Sequence, residues 1–473
     1  MKIVLVEISP DARAMTMDYQ PHPGLAYMGA CLLQNGHTVC IVDPVSSGNN
    51  IKRTIKNVVD FKPRIIGVTS TTAARFRTMD VIDVLKVQTG AFIVVGGPHF
   101  HPTAREAMSK MPVIDCIVKG EGEQAIVEIA QAVEDKKSLS GIPGIFYRHG
   151  RDIIETPDRD FNTDLDSLPL PAYDLFDLKL YKPFVRTRRG LPALGVISSR
   201  GCPCKCIFCS ISALKKSNFR KRSPELFVEE VAYLQKTYGY NTFLFNDDTI
   251  TIDRNHIISI CDGIIKRRLN ISWSALARVN TVDKELLLQM KRAGCCLVMY
   301  GIESGSDAIL TTLKKGITID QAVKAIDITA EVGIPFDALF MVSFPGETRR
   351  ELHETAKLIN RFSSYPDSRA PYGFTTIYPG TELERLAHEQ GVLPSNFSWN
   401  EKYRNSFYSI LGTDPYTPCW EIRDLPLEEI KAIIFKSRSL SYKIQNIFHK
   451  IRRLTPNTIF SNVRMGIRVF TVR

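Results

Sequence analysis

No apolar run in the 473 residues approaches the roughly 20 that a bilayer-spanning helix needs. No signal-peptide pattern is present either: Met1 leads straight into the strand-like run Lys2-Ile3-Val4-Leu5-Val6. Both absences set the expectation of a cytosolic, reducing compartment. No G-x-G-x-x-G follows that first run, which leaves a dinucleotide site unsupported. No distant C-x2-C pair accompanies the one dense cysteine cluster, and the adjacent Cys295-Cys296 is a poor substitute. Acid is missing from one stretch: Lys431 to Arg473 holds ten Lys or Arg and no Asp or Glu, within a net charge of +11.

The dense cluster is Gly201-Cys202-Pro203-Cys204-Lys205-Cys206-Ile207-Phe208-Cys209, four of the chain's eleven cysteines. In a reducing compartment such packing points to metal ligation or redox chemistry, not a disulfide framework. Cys202, Cys206 and Cys209 form C-x3-C-x2-C. Three thiolates on one loop suit three irons of a [4Fe–4S] cube and leave the fourth iron open, as a catalytic metal centre requires. A zinc site, a Cys206-x-x-Cys209 redox pair, and the ligand set Cys204, Cys206 and Cys209 are competing readings of the same residues.

Residues 1–135 alternate short apolar strands with helical stretches, the pattern of a doubly wound parallel sheet. Ligands of such sheets sit at the carboxyl ends of the strands. There the sequence places Ser70-Thr71-Thr72, Gly96-Gly97-Pro98-His99 and Gly120-Glu121-Gly122-Glu123. Residues 136–190 are Pro-rich and irregular and read as a linker. Residues 191–385 resume a βα pattern, which implies a parallel barrel with its chemistry in the carboxyl-end loops. Asn246-Asp247-Asp248, Arg278, Gly301-Ile302-Glu303-Ser304-Gly305 and Pro345-Gly346-Glu347 fall at those ends. Asp247, Asp248 and Arg278 suit a site or a structural ion pair equally.

The cysteine spacing, with Phe208 just before the third cysteine, resembles the radical S-adenosylmethionine (SAM) superfamily. The N-terminal pieces, from Pro21-His22-Pro23-Gly24 through Gly36-His37, Asp43 and Gly96-Gly97-Pro98-His99 to Gly120-Glu121-Gly122-Glu123, resemble the cobalamin-binding domain that precedes many radical SAM domains. The resemblance implies a Rossmann-like cobalamin domain, a partial (β/α)6 radical SAM barrel and a mainly helical C-terminal region over 386–473. It implies a [4Fe–4S] cluster on Cys202, Cys206 and Cys209, with Cys204 a spectator. It further implies SAM against Phe208, Arg278 and Glu303, with Glu303 on the ribose hydroxyls and Arg278 on the carboxylate. Cobalamin is implied beside Ser70, Thr71, Gly96, Gly97, Glu121 and Gly122. The D-x-H-x-x-G motif that supplies a lower histidine ligand in some cobalamin enzymes is absent, so His22 is not expected on cobalt.

The commonest activity this implies is methylation of an unactivated carbon or phosphorus centre, through a 5′-deoxyadenosyl radical and methylcobalamin. Cyclisation, ring contraction or oxidation by the same parts is the alternative within the family. A nucleic-acid-binding protein with a structural cluster rests only on the basic tail. The expected partners are a small-molecule or lipid-like substrate and an electron donor such as flavodoxin or ferredoxin. Apolar residues at helical spacing from Ile430 to Leu454, interleaved with Lys443, Lys450, Arg452 and Arg453, suit a helix packed on the barrel. They also suit peripheral contact with an anionic membrane.

Overall fold

The structure, a computed structural model, describes residues 1–10, 19–181, 192–213, 218–404 and 415–436. Five parallel strands form the first sheet: β1 (Lys2–Glu7), β2 (Thr38–Val42), β3 (Ile65–Thr69), β4 (Phe92–Gly96) and β5 (Cys116–Val118). Their order is β2-β1-β3-β4-β5, so the winding reverses between β1 and β3. Successive residues of β1 serve opposite cores, Ile3 and Leu5 on one face, Val4 and Val6 on the other. That two-sided burial explains the unbroken apolar run. The helices Pro23–Gln34 and Glu123–Asp135 cover the first face. Ile51–Phe61, Arg75–Thr89 and Phe100–Lys110 cover the second.

The stretch read as a linker contributes to this sheet. β6 (Ile145–His149) pairs antiparallel with β5, and β7 (Asp152–Glu155) with β6. The irregular connector begins only after Glu155. Its Tyr173 and Phe176 enter an apolar cluster that joins Ile3 and Leu25 of the first sheet region to Leu194 and Phe227 beyond it. The run Ile145-Phe146-Tyr147 after the Pro143-Gly144 turn reads as a strand in the sequence and is β6; β7, largely exposed, carries no apolar signal.

β8 (Leu194–Val196) opens the second sheet. Two short strands follow, β9 (Ser199–Arg200) and β10 (Arg220–Lys221), paired antiparallel with each other. β11 (Thr242–Phe245), β12 (Ser272–Ala277), β13 (Cys295–Glu303), β14 (Phe336–Val342) and β15 (Tyr372–Phe374) complete the second sheet. Its order is β8-β11-β12-β13-β14-β15, all parallel and open between the outer strands. This is the partial barrel of six strands. Its crossover helices start on side-chain caps, among them Asp253, Asp283 and the capping boxes of Thr318 with Gln321 and Thr348 with Glu351. Ser223 stands at the N-cap of Pro224–Tyr238 as its sequence predicts, but its hydroxyl makes no cap bond; its own N–H is taken by Asp166.

The C-terminal segment packs on both sheets. The fully buried Arg75 guanidinium donates to the carbonyls of Thr72, Trp399 and Tyr416, and Trp399 packs edge-on against His99. On the barrel side, Trp420 N–H donates to Thr375 and Ile377 N–H to Pro418. Helices Glu382–Glu389 and Leu427–Lys436 flank this segment, and Ile430 and Ile434 are buried as the spacing predicts. Lys443, Lys450, Arg452, Arg453 and the rest of the basic tail lie outside the described residues. Among the described residues no helix is long and apolar enough to cross a membrane.

A candidate active site at the cysteine loop

The cysteines sit on the loop between β9 and β10, so the antiparallel pair closes the loop at its base. Gly201 starts it with φ +87°, and a Cβ there would overlap the carbonyl oxygen of Asn218 at the loop's far end. Only glycine tolerates both demands. The Gly201 N–H donates to Asp248 Oδ2 at 2.8 Å. Asp247 is buried and accepts from the hydroxyls of Ser198 (2.7 Å) and Ser199 (2.5 Å). Burial pushes its carboxyl up to about 6, against those hydrogen bonds. Both acids therefore shape the approach to the loop.

Inside the loop, Cys206 is buried and Cys202, Cys204 and Cys209 are half-buried. Ser212 Oγ donates to the carbonyls of Cys206 and Cys209, both at 2.7 Å. Ile207 pins the loop to the barrel: its N–H donates to Leu313, and its carbonyl accepts from Leu383. The Cys202 thiol is held below the ordinary thiol range, first by a hydrogen bond from Cys204, with help from Thr249 and the Arg278 charge. Burial raises Cys209, and the charges of Cys206 and Cys202 add to that. Among the described residues no three His, Cys, Asp or Glu side chains stand at metal-ligating geometry. The donor set still fits an iron–sulfur centre: three thiols share one short loop, feel one another's charge, and face an arginine that favours thiolate.

The structure brings Phe208, Arg278 and Glu303 together around this loop. Glu303 ends β13 at a register shift against β14, with φ +74°. Its Oε1 accepts from Lys315 Nζ at 2.7 Å, and both side chains are buried. Lys315 Nζ lies 5.9 Å from the centroid of the Phe208 ring. Arg278 donates from Nη2 to the Lys315 carbonyl, and from Nε to Asn280 Oδ1 at 3.3 Å. Gly301 leaves the space: a Cβ there would come within 3.0 Å of Lys315 Nζ and press on Glu303 Oε1. Lys315 escaped the sequence reading. The Lys314-Lys315-Gly316 doublet after helix Asp307–Thr312 was its only signal, and lysine doublets are common on solvated turns. Glu347 shapes a turn: its Oε2 accepts from the N–H groups of Ser343 (2.6 Å) and Phe344 (3.3 Å).

At the first sheet, Ser70 and Thr71 follow β3, Gly96 ends β4 and Gly97 follows it. Gly97 has φ +93°, and a Cβ there would sit 2.9 Å from the Ser70 backbone. Ser70 is buried with its hydroxyl 2.9 Å from that of Thr78, whereas Thr71 is exposed. The close approach of Gly97 to Ser70 holds the carboxyl ends of β3 and β4 together. Glu121 is engaged elsewhere, by Arg220 and Arg200. Gly122 packs on Met28, its Cβ position lying 2.8 Å from the sulfur. Two of the histidines in this domain are held in local hydrogen bonds. His22 caps helix Pro23–Gln34, and His101 Nδ1 accepts from Gly120 N–H at 2.7 Å. His99 is buried, with its imidazole pushed down to about 3 by burial and the Arg75 charge.

Residues 14–130 match the family model of the B12 binding domain, and residues 196–359 that of the radical SAM superfamily. An uncharacterised methyltransferase of Pyrococcus horikoshii is 34% identical over 374 residues, covering 79% of this chain and 80% of that protein. The chain belongs to the cobalamin-binding radical SAM family. The anaerobic magnesium-protoporphyrin IX monomethyl ester cyclase of Rubrivivax gelatinosus is 29% identical over 77% of this chain and 65% of its own length. Two solved structures share the fold. The radical SAM methyltransferase TsrM from Kitasatospora setae, with cobalamin and a [4Fe–4S] cluster bound, gives a TM-score of 0.66 at 18% identity, over 82% of this chain and 75% of that one. The cobalamin-dependent radical SAM enzyme OxsB, with aqua-cobalamin and SAM bound, gives 0.71 at 17%, over 91% of this chain and 65% of that one. The protein is thus a radical SAM enzyme with a B12 binding domain.

Proposed function

We propose that this chain is a methyltransferase acting on an unactivated carbon or phosphorus centre of a small or lipid-like molecule. The cluster with SAM supplies a carbon radical, and cobalamin supplies a transferable methyl group; the protein's part is to bind, orient and exclude water. Cys202, Cys206 and Cys209 hold the cluster, with Cys204 outside the ligand set. Phe208, Arg278 and Glu303 receive SAM: the free Oε2 of Glu303 accepts hydroxyl hydrogen bonds, and the Arg278 guanidinium offers a charge-assisted bond to a carboxylate. Ser70, Thr71, Gly96 and Gly97 border cobalamin.

One observation carries the reading. A single C-terminal segment bonds to residues at the carboxyl ends of both sheets, which supports two cofactor sites held next to each other. Arg75, after β3, holds Trp399 and Tyr416, while residues 418–420 of the same segment bond to Thr375 and Ile377 after β15. The methyltransferase relative matches 79% of this chain. The cyclase relatives favour a second reading, radical cyclisation without methyl transfer. An electron donor of the flavodoxin or ferredoxin type and a cytosolic location complete the proposal.

The test is isotopic. Cells expressing the protein are fed methionine with a trideuterated methyl group, and their extracts are compared with those of a Cys206→Ala strain. A product three mass units heavier, present only with the intact protein, supports methyl transfer. A product that differs between strains but carries no label selects cyclisation.

A further inference from the structure

We infer that Arg200 and Arg220 are positioning residues: they seat the cysteine loop on the cobalamin-binding domain through Glu121 and Glu123, and so fix one cofactor site against the other. The two arginines are the feet of the loop, the last residue before Gly201 and the first of the returning strand, and they are register partners across β9 and β10. Both guanidiniums reach the segment after β5. Arg220 grips Glu121 with two bonds, Nη2 to Oε1 at 2.9 Å and Nη1 to Oε2 at 3.0 Å. Arg200 spans both acids, Nη1 to Glu121 Oε1 at 3.1 Å and Nη2 to Glu123 Oε1 at 2.7 Å.

The surroundings are built to hold this quartet. Arg220 also donates to the Asn162 carbonyl at 2.7 Å, and Asn162 N–H donates to Glu121 Oε2 at 3.2 Å. Phe161 lies 4.9 Å from the Arg220 guanidinium and Tyr27 5.8 Å from that of Arg200. None of the four side chains is more than 19% exposed. Burial alone would raise the Glu121 carboxyl; the Arg220 hydrogen bonds and the Arg200 charge overcome this and hold it below the usual range.

Strand alternation extends the seat. Arg222, just past β10, reaches Tyr27 Oη of that domain at 3.5 Å and pairs with Glu230 of helix Pro224–Tyr238, which accepts from Tyr27 Oη at 3.0 Å. Lys221 between them points away, to Asp253. Planar, bidentate, buried pairs fix orientation as well as contact, and a point-charge cation does not reproduce them. A loop clamped at both feet cannot rock against the neighbouring domain. This gives Glu121 an interface role, where the G-E-G-E motif by itself suggests a cofactor contact.

Holoprotein carrying cluster and cobalamin is prepared as wild type, Arg220→Lys, Arg220→Gln and Glu121→Gln. Iron content, cobalamin content and the magnetic interaction between the reduced cluster and Co(II) are then compared by electron paramagnetic resonance. The expected result is unchanged iron and cobalamin, with the interaction weakened and spread over a range of geometries. Turnover should fall by about tenfold or more, because sub-ångström misplacement is costly in a positioned reaction. Arg220→Lys should fall between wild type and Arg220→Gln. An interaction identical to wild type in all three variants would overturn the inference. So would loss of cobalamin from Glu121→Gln alone, which would return that residue to the cofactor.

Discussion

Lys315 holds Glu303 by a 2.7 Å ion pair beneath the ring of Phe208, inside the carboxyl end of the second sheet. The pair uses one carboxylate oxygen and leaves the other for a ligand. Lys315→Met should weaken SAM binding by about tenfold, a loss of ~1.4 kcal/mol, with iron content unchanged. It should also lower stability by roughly 3 kcal/mol, since a buried carboxylate is left without its partner. Equilibrium dialysis with SAM and thermal melts check the two effects separately. Unaltered SAM affinity in both Lys315→Met and Glu303→Gln would remove this pair from the SAM site.

Gly201 carries a left-handed backbone and abuts the Asn218 carbonyl. Gly201→Ala should push the two ends of the loop apart. Iron content after reconstitution should fall to a small fraction of wild type, while circular dichroism of the two sheets stays the same. Full iron loading would mean that the loop tolerates a second path.

Cys204 neighbours Cys202 on the loop but lies outside the C-x3-C-x2-C set. Cys204→Ala should therefore keep the iron content and cluster spectrum of wild type, and Cys206→Ala should lose both. Equal losses in the two variants would draw Cys204 into the ligand set.

Glu347 has a pH signature. Burial first, then the nearby Glu351, pushes its carboxyl from 4.5 up to about 7, and Oε1 has no hydrogen-bond partner among the described residues. Between pH 4.5 and 7 the folded protein keeps this proton and the unfolded chain has lost it. The stability tied to the proton is thus complete below pH 4.5 and declines as pH rises through 7. Linkage limits the effect to about 3 kcal/mol. Glu347→Gln should lack this decline, which denaturant melts at pH 5 and pH 8 would reveal. Parallel wild-type and mutant curves would place the titration elsewhere.

The sheets were legible because their strands are buried on both faces: Ile3-Val4-Leu5-Val6 and Leu297-Val298-Met299-Tyr300 announce themselves as apolar runs. The short, largely exposed β7 does not, and the antiparallel pairing of β6 with β5 and of β7 with β6 depends on tertiary contact. Cys202, Cys206 and Cys209 were legible by spacing, since thiols this close have few other uses. Glu303 was reached through its local motif. Lys315 was not, because its role exists only once β13 bends at Gly301–Glu303 and brings residues twelve apart into contact. Glu121 was assigned to a ligand because nothing local says that Arg200 and Arg220, about 80 and 100 residues away, come to meet it.

The central claim is that one cysteine loop drives SAM chemistry beside bound cobalamin. Its most direct test is 5′-deoxyadenosine formation from SAM by protein purified without oxygen and with cobalamin supplied, in wild type and Cys206→Ala. The account predicts a cobalamin absorption spectrum, about four irons per chain, and 5′-deoxyadenosine from wild type alone. Cleavage that persists in Cys206→Ala, or an active wild type that binds no cobalamin, would contradict it.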